Sequence, residues 1–226
     1  MAGAWEQSEN VLVGILHVDN TTMHWACGFR NLIIPGAVMP VTGMPYDHSR
    51  NAVCQAALDN GFTWCFFLDS DVVPPRDAIL RLMSHRKPLI SGVYYRRSPP
   101  EGVPVFMKDG NWYVNYPRNR LFEVDVCGAG CLLIHRTVLE KFPGQRPGAG
   151  KKWFDWRVDC GDRNLWKEGN PEALKAGPPM SEDFTFNVAC KKLLGIPTVI
   201  DPSVQCYHVG LAEASQNSFR PAQVRV

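Results

Sequence analysis

Two aspartates, two residues apart, are the first sign of chemistry in this sequence. Asp69 and Asp71 follow residues 62–68, an apolar run typical of a buried strand. Carboxylates at the carboxyl end of such a strand lie where open α/β sheets bind ligands. Their oxygens suit a hard cation such as Mg²⁺ or Mn²⁺. Two turn or helix-capping aspartates before Pro74 and Pro75 would give the same pattern, so both interpretations stay open.

A second acidic pair and a lone histidine stand further along the chain. Glu182 and Asp183 come directly after Ser181 and open a helical pattern, where carboxylates are favoured simply as capping groups. A carboxylate beside a cleft can also take a proton from an attacking hydroxyl as a general base. His208 follows an apolar segment; such histidines are usually structural, but imidazole is also a good nitrogen ligand for Mn²⁺.

The hydrophobic pattern predicts one α/β domain that positions these residues. Strands are expected at 11–16, 62–68, 89–95 and 198–200, and a hairpin at 103–107 and 112–116 about Asp109 and Gly110. Helices are expected at 23–33, from an Asp47 or Ser49 cap to Gly61, after Pro74, at 137–142, and from a Ser181 cap to Gly195. This order indicates a Rossmann-like mixed sheet, mostly parallel with antiparallel additions and flanked by helices.

Composition narrows the class of protein. With 226 residues, 45% of them hydrophobic and 20% charged, the chain is too large for a disulfide-stapled miniprotein and too apolar for a disordered one. Residues 81–163 carry 15 basic and 8 acidic side chains, which indicates either a solvated face or an anionic substrate or partner. The eight cysteines lack a CxxC pair, and neither a leader pattern nor a membrane-spanning apolar run is present. We therefore expect a cytoplasmic protein with reduced thiols.

Five segments, in this order, resemble the GT-A-fold glycosyltransferases, close to the small family 2-like enzymes of bacteria and their viruses. They are Arg50-Asn51, Phe66-Phe67-Leu68-Asp69-Ser70-Asp71 as the DxD motif, Gly128-Ala129-Gly130-Cys131-Leu132-Leu133-Ile134, Ser181-Glu182-Asp183-Phe184, and Asp201-Pro202-Ser203-Val204 leading to His208. The resemblance implies a single glycosyltransferase domain, with a nucleotide-binding half at 10–100, an acceptor and catalytic half at 101–210, and a tail or lid at 211–226.

The resemblance also implies a role for each matching residue. Asp71 would ligate the Mn²⁺ or Mg²⁺ that bridges the donor diphosphate, Asp69 would share the ion or hold the ribose, and His208 would complete the coordination. Asp183 would be the base of an inverting displacement, with Glu182 beside it. The nucleotide sugar would be bound by His17, Asp19, Arg50, Asn51, Asp69, Ser70, Gly128, Ala129 and, from the tail, Arg220.

The expected activity is metal-dependent transfer of a hexose from a nucleotide sugar, UDP-sugars being the first candidates, to an acceptor hydroxyl. The acceptor stays open among nucleic acid, lipid phosphate, protein and polysaccharide. Trp153 and Trp156 are candidates to stack on it, and packing in the core or at a hinge stays open for both. One alternative is a haloacid-dehalogenase-like phosphatase in which Asp69 attacks phosphorus, although about 60 residues precede this motif, which normally lies on the first strand of that fold. The other alternative is a non-catalytic nucleotide-sugar or nucleic-acid-binding module.

Overall fold

A seven-stranded mixed sheet organises the computed structural model, which describes residues 9–16, 21–97, 102–143, 151–156 and 180–209. The strands are β1 (Val11–Leu16), β2 (Gly36–Val41), β3 (Trp64–Asp69), β4 (Val72–Val73), β5 (Leu89–Val93), β6 (Phe106–Lys108), β7 (Asn111–Trp112), β8 (Phe122–Val124), β9 (Val126–Cys127), β10 (Cys131–His135), β11 (Thr198–Gln205) and β12 (Tyr207–His208). The helices are α1 (Met23–Asn31), α2 (Tyr46–Asp59), α3 (Ala78–Ser84), α4 (Arg136–Lys141) and α5 (Glu182–Leu194).

The main sheet has the order β2-β1-β3-β10-β5-β11-β8. β1 pairs in parallel with β2 and β3, and β5 pairs in parallel with β11, whereas β10 and β8 run antiparallel to their neighbours. The predicted α/β class, a mixed sheet with antiparallel additions flanked by helices, is therefore confirmed.

Packing on both faces explains why the central strand β3 is a continuous apolar run. On one face Phe67 lies in a cluster with Val53 of α2 and Phe186 of α5. On the other face Phe66 lies in a cluster with Ile79 of α3. Because β3 is covered on both sides, it is a fixed support for the aspartate at its end.

Two smaller sheets lie beside the main one. β12 pairs antiparallel with β4, and β6 pairs antiparallel with both β7 and β9. Asp109 and Gly110 have positive φ values of 51° and 75°, which confirms the two-residue hairpin turn. The hairpin strands are shorter than the sequence pattern predicted.

The region of β2 and α2 differs from the sequence prediction. β2 was not predicted, because Pro35 and Gly36 indicated only the end of a helix; the strand tolerates Pro40 since it lies at the sheet edge. α2 begins at Tyr46 after Pro45, and not at Asp47 or Ser49. Those two side chains are instead buried within the first turns of the helix.

Two further observations concern the described residues as a whole. Seven cysteines are free thiols, and all of them except Cys27 are buried, as the apolar surroundings in the sequence predicted. Among the described helices, none has the length and apolar character needed to cross a membrane.

Candidate active site

A short antiparallel pair of strands brings Asp71 and His208 together. His208 of β12 is paired with Val72 of β4, and the N–H of Val209 donates to the carbonyl oxygen of Asp71 at 2.7 Å. As a result, Nε2 of His208 lies 3.4 Å from Oδ1 of Asp71. Two residues that are distant in the sequence therefore face one another at the end of the main sheet.

The orientation of the His208 ring follows from its other nitrogen. Nδ1 lies 2.7 Å from the carbonyl oxygen of Tyr95, and because a carbonyl only accepts hydrogen bonds, Nδ1 carries the proton and donates it. The ring also packs edge-on against Tyr94, with centroids 5.5 Å apart. Nε2 is thus directed at Oδ1 of Asp71. Because both atoms are hydrogen-bond acceptors, they attract one another only when a proton or a cation lies between them. Histidines that bind metals are commonly held by such a backbone carbonyl.

Asp71 is also held by a basic side chain. Nη2 of Arg97 donates to Oδ2 of Asp71 at 2.7 Å, and Nη1 donates to the carbonyl of Val209 at 3.0 Å. Burial alone would raise the pKa of Asp71, but the hydrogen bond with His208 and the charges of His208 and Arg97 together lower that pKa below its ordinary value. Asp71 is therefore a carboxylate at neutral pH.

A buried guanidinium joins Asp69 to the start of α5. Arg50, which is 2% exposed, donates from Nη2 to Oδ1 of Asp69 and from Nε to Oε1 of Glu182, both at 3.2 Å. Its charged group also lies 5.2 Å from the centre of the Phe67 ring and 5.9 Å from that of Phe154. Arg50 therefore links the strand that carries the DxD motif to the helix that carries the second acidic pair.

Burial and the neighbouring opposite charges have opposing effects on the pKa values of Arg50, Asp69 and Glu182. Burial raises the pKa of Asp69 and of Glu182, and the charge of Arg50 opposes the rise in both. Burial would lower the pKa of Arg50, but the charges of Asp69 and Glu182 outweigh it and raise the pKa. The guanidinium thus stays charged and holds the two carboxylates in place.

Asp183 is held against the turn that precedes β10. Its Oδ1 accepts from the Ser181 hydroxyl and, at 2.8 Å, from the N–H of Phe184. Its Oδ2 accepts from the N–H of Ala129 at 3.2 Å. Asn187 donates to the carbonyl oxygens of both Asp183 and Cys127, and this ties α5 to β9. Among the described residues, Oδ1 thus accepts from two donors and Oδ2 from one.

Glycines on either side of Ala129 leave space for Tyr94 and Asp69. A Cβ at Gly128 would lie 2.0 Å from the Tyr94 hydroxyl oxygen, and a Cβ at Gly130 would lie 3.0 Å from Oδ2 of Asp69. The N–H of Gly130 donates to the Tyr94 hydroxyl at 3.0 Å. The resemblance implied that Gly128 leaves room for a donor sugar, but in the structure the Tyr94 hydroxyl occupies that space. Burial, followed by the charges of Asp69 and Asp183, raises the pKa of Tyr94 well above its ordinary value.

A cavity of about 470 Å³ opens at this end of the sheet, a size typical of small-molecule sites. Its lining residues are Asp69, Asp71, Tyr94, Arg96, Arg97, Val105 and His208. Sequence reasoning named both aspartates and the histidine but missed the two arginines and Tyr94. For the two arginines a signal was present in the sequence, because Arg96 and Arg97 directly follow the predicted strand 89–95.

The remaining candidates lie elsewhere. Asn51 accepts from the N–H groups of Trp153 and Phe154 and donates to the Phe154 carbonyl, so it anchors residues 151–156. Trp153 is 2% exposed and donates its indole N–H to the carbonyl of Leu139. Its prediction as an acceptor platform is therefore wrong, since no face of the ring is open. Trp156 is 47% exposed but does not line the cavity.

Four other residues were predicted to bind the nucleotide sugar. One of them, Ser70, makes hydrogen bonds through its backbone, and the other three lie outside the described residues. Ser70 donates its N–H to the carbonyl of Leu16 and accepts at its own carbonyl from Thr21. His17, Asp19 and Arg220, which were predicted to bind the nucleotide sugar, lie outside the described residues.

Metal ligation is limited in the described part of the chain. No group of three or more histidine, cysteine, aspartate or glutamate side chains there is arranged to hold a metal ion. Asp71 and His208 form a pair, whereas Asp69 is bonded to Arg50. Of the three predicted metal ligands, therefore, Asp71 and His208 face one another, and Asp69 lies in a separate ion pair.

Comparisons with known proteins show the fold. No protein-family model matches the sequence, and a search of curated proteins gives no match. The crystal structure of A197 from STIV is similar over 96% of this chain and 98% of that one, with a TM-score of 0.60 and 17% identity. Two further structures match at TM-scores below 0.5. One is a glycosyltransferase involved in the glycosylation of the major capsid of PBCV-1, with a TM-score of 0.32 and 14% identity over 58% of this chain and 62% of that one. The other is an apo UDP-glucose pyrophosphorylase, with a TM-score of 0.41 and 8% identity over 87% of this chain and 75% of that one.

Proposed function

We propose that this protein is a metal-dependent glycosyltransferase that transfers a sugar from a nucleotide-sugar donor, with UDP-sugars as the first candidates, to an acceptor hydroxyl with inversion. The observation that carries the proposal is the meeting of Asp71 and His208 in one cavity, 3.4 Å apart, with Arg97 beside them. This arrangement combines a place for a cation with a fixed positive charge, which a diphosphate leaving group requires.

Asp71 and His208 are the residues that would hold the ion. The Tyr95 carbonyl fixes the proton of His208 on Nδ1 and leaves Nε2 for a cation. Oδ1 of Asp71 faces the same point, 3.4 Å from Nε2. When bound there, Mn²⁺ or Mg²⁺ would supply positive charge for the departing diphosphate.

The other residues of the site have separate tasks in this proposal. Arg97 adds positive charge next to the diphosphate, and Arg50 keeps Asp69 and Glu182 at fixed positions. Asp183 takes the proton of the acceptor hydroxyl on Oδ2, which has one donor, whereas Oδ1 has two. Tyr94 stays protonated and fills the space behind the glycine turn, which keeps water out of that part of the site.

Donor and metal binding are tested together by thermal unfolding of the full chain. A panel of UDP, GDP, CDP and ADP is added with and without Mn²⁺, and one nucleotide should raise the melting temperature only when Mn²⁺ is present. Asp71→Asn and His208→Gln should abolish that rise. Asp77→Asn is the matched control, because Asp77 forms an exposed ion pair with Arg81 on α3. Stabilisation by no nucleotide, or equal stabilisation of all variants, would contradict the proposal.

Catalysis is tested by Asp183→Asn. We expect nucleotide binding to be retained while turnover of the donor falls by about 10²–10⁴-fold, the usual contribution of a general base. Release of nucleoside diphosphate from each nucleotide sugar measures this loss. Equal turnover by the variant would favour a non-catalytic module. Hydrolysis of p-nitrophenyl phosphate, with trapping of beryllium trifluoride on Asp69, would favour the phosphatase.

A further inference from the structure

Arg97 occupies one of the two oxygens of the proposed cation ligand Asp71. Its Nη2 donates to Oδ2 of Asp71 at 2.7 Å, while Nε2 of His208 lies 3.4 Å from Oδ1 of the same carboxylate. Nη1 of Arg97 donates to the carbonyl oxygen of Val209 at 3.0 Å. Both oxygens of Asp71 thus have a partner within the chain, and the partner of Oδ2 carries a positive charge.

The two arginines that pair with the DxD aspartates lie in different surroundings. The Arg50 side chain is 3% exposed and bonds to both Asp69 and Glu182, so two elements fix its position. The Arg97 side chain is 42% exposed, and that of its partner Asp71 is 32% exposed. Water competes with exposed ion pairs, which therefore contribute little free energy. The pair of Arg97 and Asp71 is therefore the weaker of the two.

A divalent cation at Asp71 conflicts with the position of Arg97. The two oxygens belong to one carboxylate, so a cation at Oδ1 and the guanidinium at Oδ2 are held close together. Like charges at short range repel one another strongly where the surroundings partly exclude water. His208 adds no negative charge to offset this repulsion, because Nδ1 carries the ring's one proton. A cation is therefore bound more tightly when the guanidinium has left Oδ2.

A diphosphate offers the guanidinium another anionic partner in the same cavity. Arg97 lines this cavity together with Asp71 and His208. A diphosphate that shares a cation with these two ligands therefore comes close to the Arg97 side chain. The planar guanidinium matches phosphate oxygens with parallel N–H donors. Each charge keeps a partner if Arg97 exchanges Asp71 for the diphosphate while the cation takes Asp71.

We propose that Arg97 is an exchangeable counter-ion of Asp71 that makes binding of the cation depend on binding of the diphosphate. Without a nucleotide, Arg97 neutralises Asp71 and weakens its affinity for a divalent cation. When a nucleoside diphosphate enters the cavity, Arg97 moves to the phosphate oxygens and leaves both oxygens of Asp71 to the cation. This inference rests on the proposed function, because that function assigns the diphosphate and the cation to this cavity.

Mn²⁺ binding to the full chain without nucleotide tests the first half of the proposal. Electron paramagnetic resonance measures free Mn²⁺, since the signal of the hydrated ion is lost on binding. Arg97→Gln removes the competing charge and should lower the Kd for Mn²⁺ about tenfold. Arg97→Lys keeps the charge and should bind Mn²⁺ nearly as weakly as the unsubstituted chain. Asp71→Asn should abolish the gain that Arg97→Gln produces.

Arg96→Gln is the matched control for general charge. Arg96 lines the same cavity, but its guanidinium lies 5.0 Å from the centre of the Trp112 ring, and Oδ2 of Asp71 is bonded to Arg97. Arg96→Gln therefore removes an equal charge without freeing Oδ2, and it should change the Mn²⁺ affinity far less. Circular dichroism checks that each variant folds. If Arg97→Gln does not fold, Arg97→Met provides a second neutral side chain for the same measurement.

Isothermal titration calorimetry with nucleotides tests the second half of the proposal. UDP, GDP, CDP and ADP are each titrated into the full chain at saturating Mn²⁺. The nucleotide that binds the unsubstituted chain should bind Arg97→Gln about tenfold to a hundredfold more weakly, because the phosphate loses a charge-assisted hydrogen bond. The same substitution thus strengthens binding of Mn²⁺ alone and weakens binding of the nucleotide. A site that is merely distorted would weaken both.

Three results would overturn the inference. They are equal or weaker binding of Mn²⁺ alone by Arg97→Gln, an equal gain from Arg96→Gln, and nucleotide binding that Arg97→Gln leaves unchanged. Any of these results leaves the glycosyltransferase proposal standing if one nucleotide still stabilises the unsubstituted chain only with Mn²⁺. If none of the four nucleotides binds in the presence of Mn²⁺, the glycosyltransferase proposal itself is refuted, and the exchange is refuted with it.

Discussion

Replacing Arg50 by methionine is the sharpest test of how the site is held together. The guanidinium is buried and bonded to two carboxylates on different elements, Asp69 at the end of β3 and Glu182 at the start of α5. Methionine keeps an apolar contact with the rings of Phe67 and Phe154, so the lost packing is small. The change therefore removes mainly the charge that both carboxylates need.

The expected cost follows from the burial of the two partners. Removing one member of a buried ion pair destabilises a protein by about 3–5 kcal/mol, because the remaining charge is left without a partner. The Asp69 side chain is 27% exposed, so water compensates part of its loss, but Glu182 is only 6% exposed. We expect Arg50→Met to lower the free energy of unfolding by about 3 kcal/mol at neutral pH, which leaves a domain of ordinary stability folded.

Urea unfolding at 25 °C measures this cost and locates its origin. Adding Glu182→Gln to Arg50→Met removes one unpaired charge, so the double variant should be more stable than the sum of the two single effects by at least about 1 kcal/mol. Arg81→Met removes an exposed ion pair with Asp77 and should cost far less than Arg50→Met, because water screens exposed pairs. Equal costs for the Arg50 and Arg81 variants, or strict additivity with Glu182→Gln, would refute the buried-charge account.

Two further predictions concern other parts of the fold. Gly128→Ala places a Cβ 2.0 Å from the Tyr94 hydroxyl oxygen and should lower the free energy of unfolding in urea by about 1–3 kcal/mol. Adding Tyr94→Phe to the same chain should recover part of this free energy. If nothing is recovered, the clash with the hydroxyl is not the cause of the loss. Burial lowers the pKa of His135 below its ordinary value of 6.5, against the charges of Glu9 and Glu140 and with that of the next residue, an arginine. Because the unfolded chain binds the proton more tightly, His135 should cost stability as the pH falls through its unfolded pKa. The His135 side chain also caps α4 by accepting from the N–H of Thr137. Asparagine can keep this cap, so His135→Asn should remove the contribution of His135 to the pH dependence of unfolding between pH 7.5 and pH 5.

The sequence was most informative where apolar periodicity and turn chemistry act locally. It gave the bounds of β1, the position of Ser181 before α5, and the left-handed Gly195 at its end, with φ of 68°. It also placed the two aspartates at the end of a buried strand. These features depend on neighbouring residues, so a pattern of types is enough to predict them.

Contacts between segments that are distant in the sequence could not be predicted from such local patterns. Asn51 was expected near a nucleotide, but its amide is occupied by the backbone of residues 153 and 154. The sequence left Trp153 open between stacking on an acceptor and packing in the core, and in the structure its indole N–H donates to the carbonyl of Leu139 on α4. An amide or an indole can satisfy its hydrogen bonds in either place, and only the folded chain decides which partner is within reach.

The arrangement of charges gives the two aspartates of the DxD motif different tasks. Asp69 is bonded to a buried arginine that belongs to the protein, so its charge is already matched and contributes to the position of α5. Asp71 faces His208 and Arg97, and both aspartates line the cavity. A motif that looks symmetric in sequence thus has one carboxylate paired with a buried arginine and a second one, Asp71, to which the proposed function assigns the cation. The division arises because the strand ends between them, so the first side chain turns toward α2 and the second toward the β4–β12 pair.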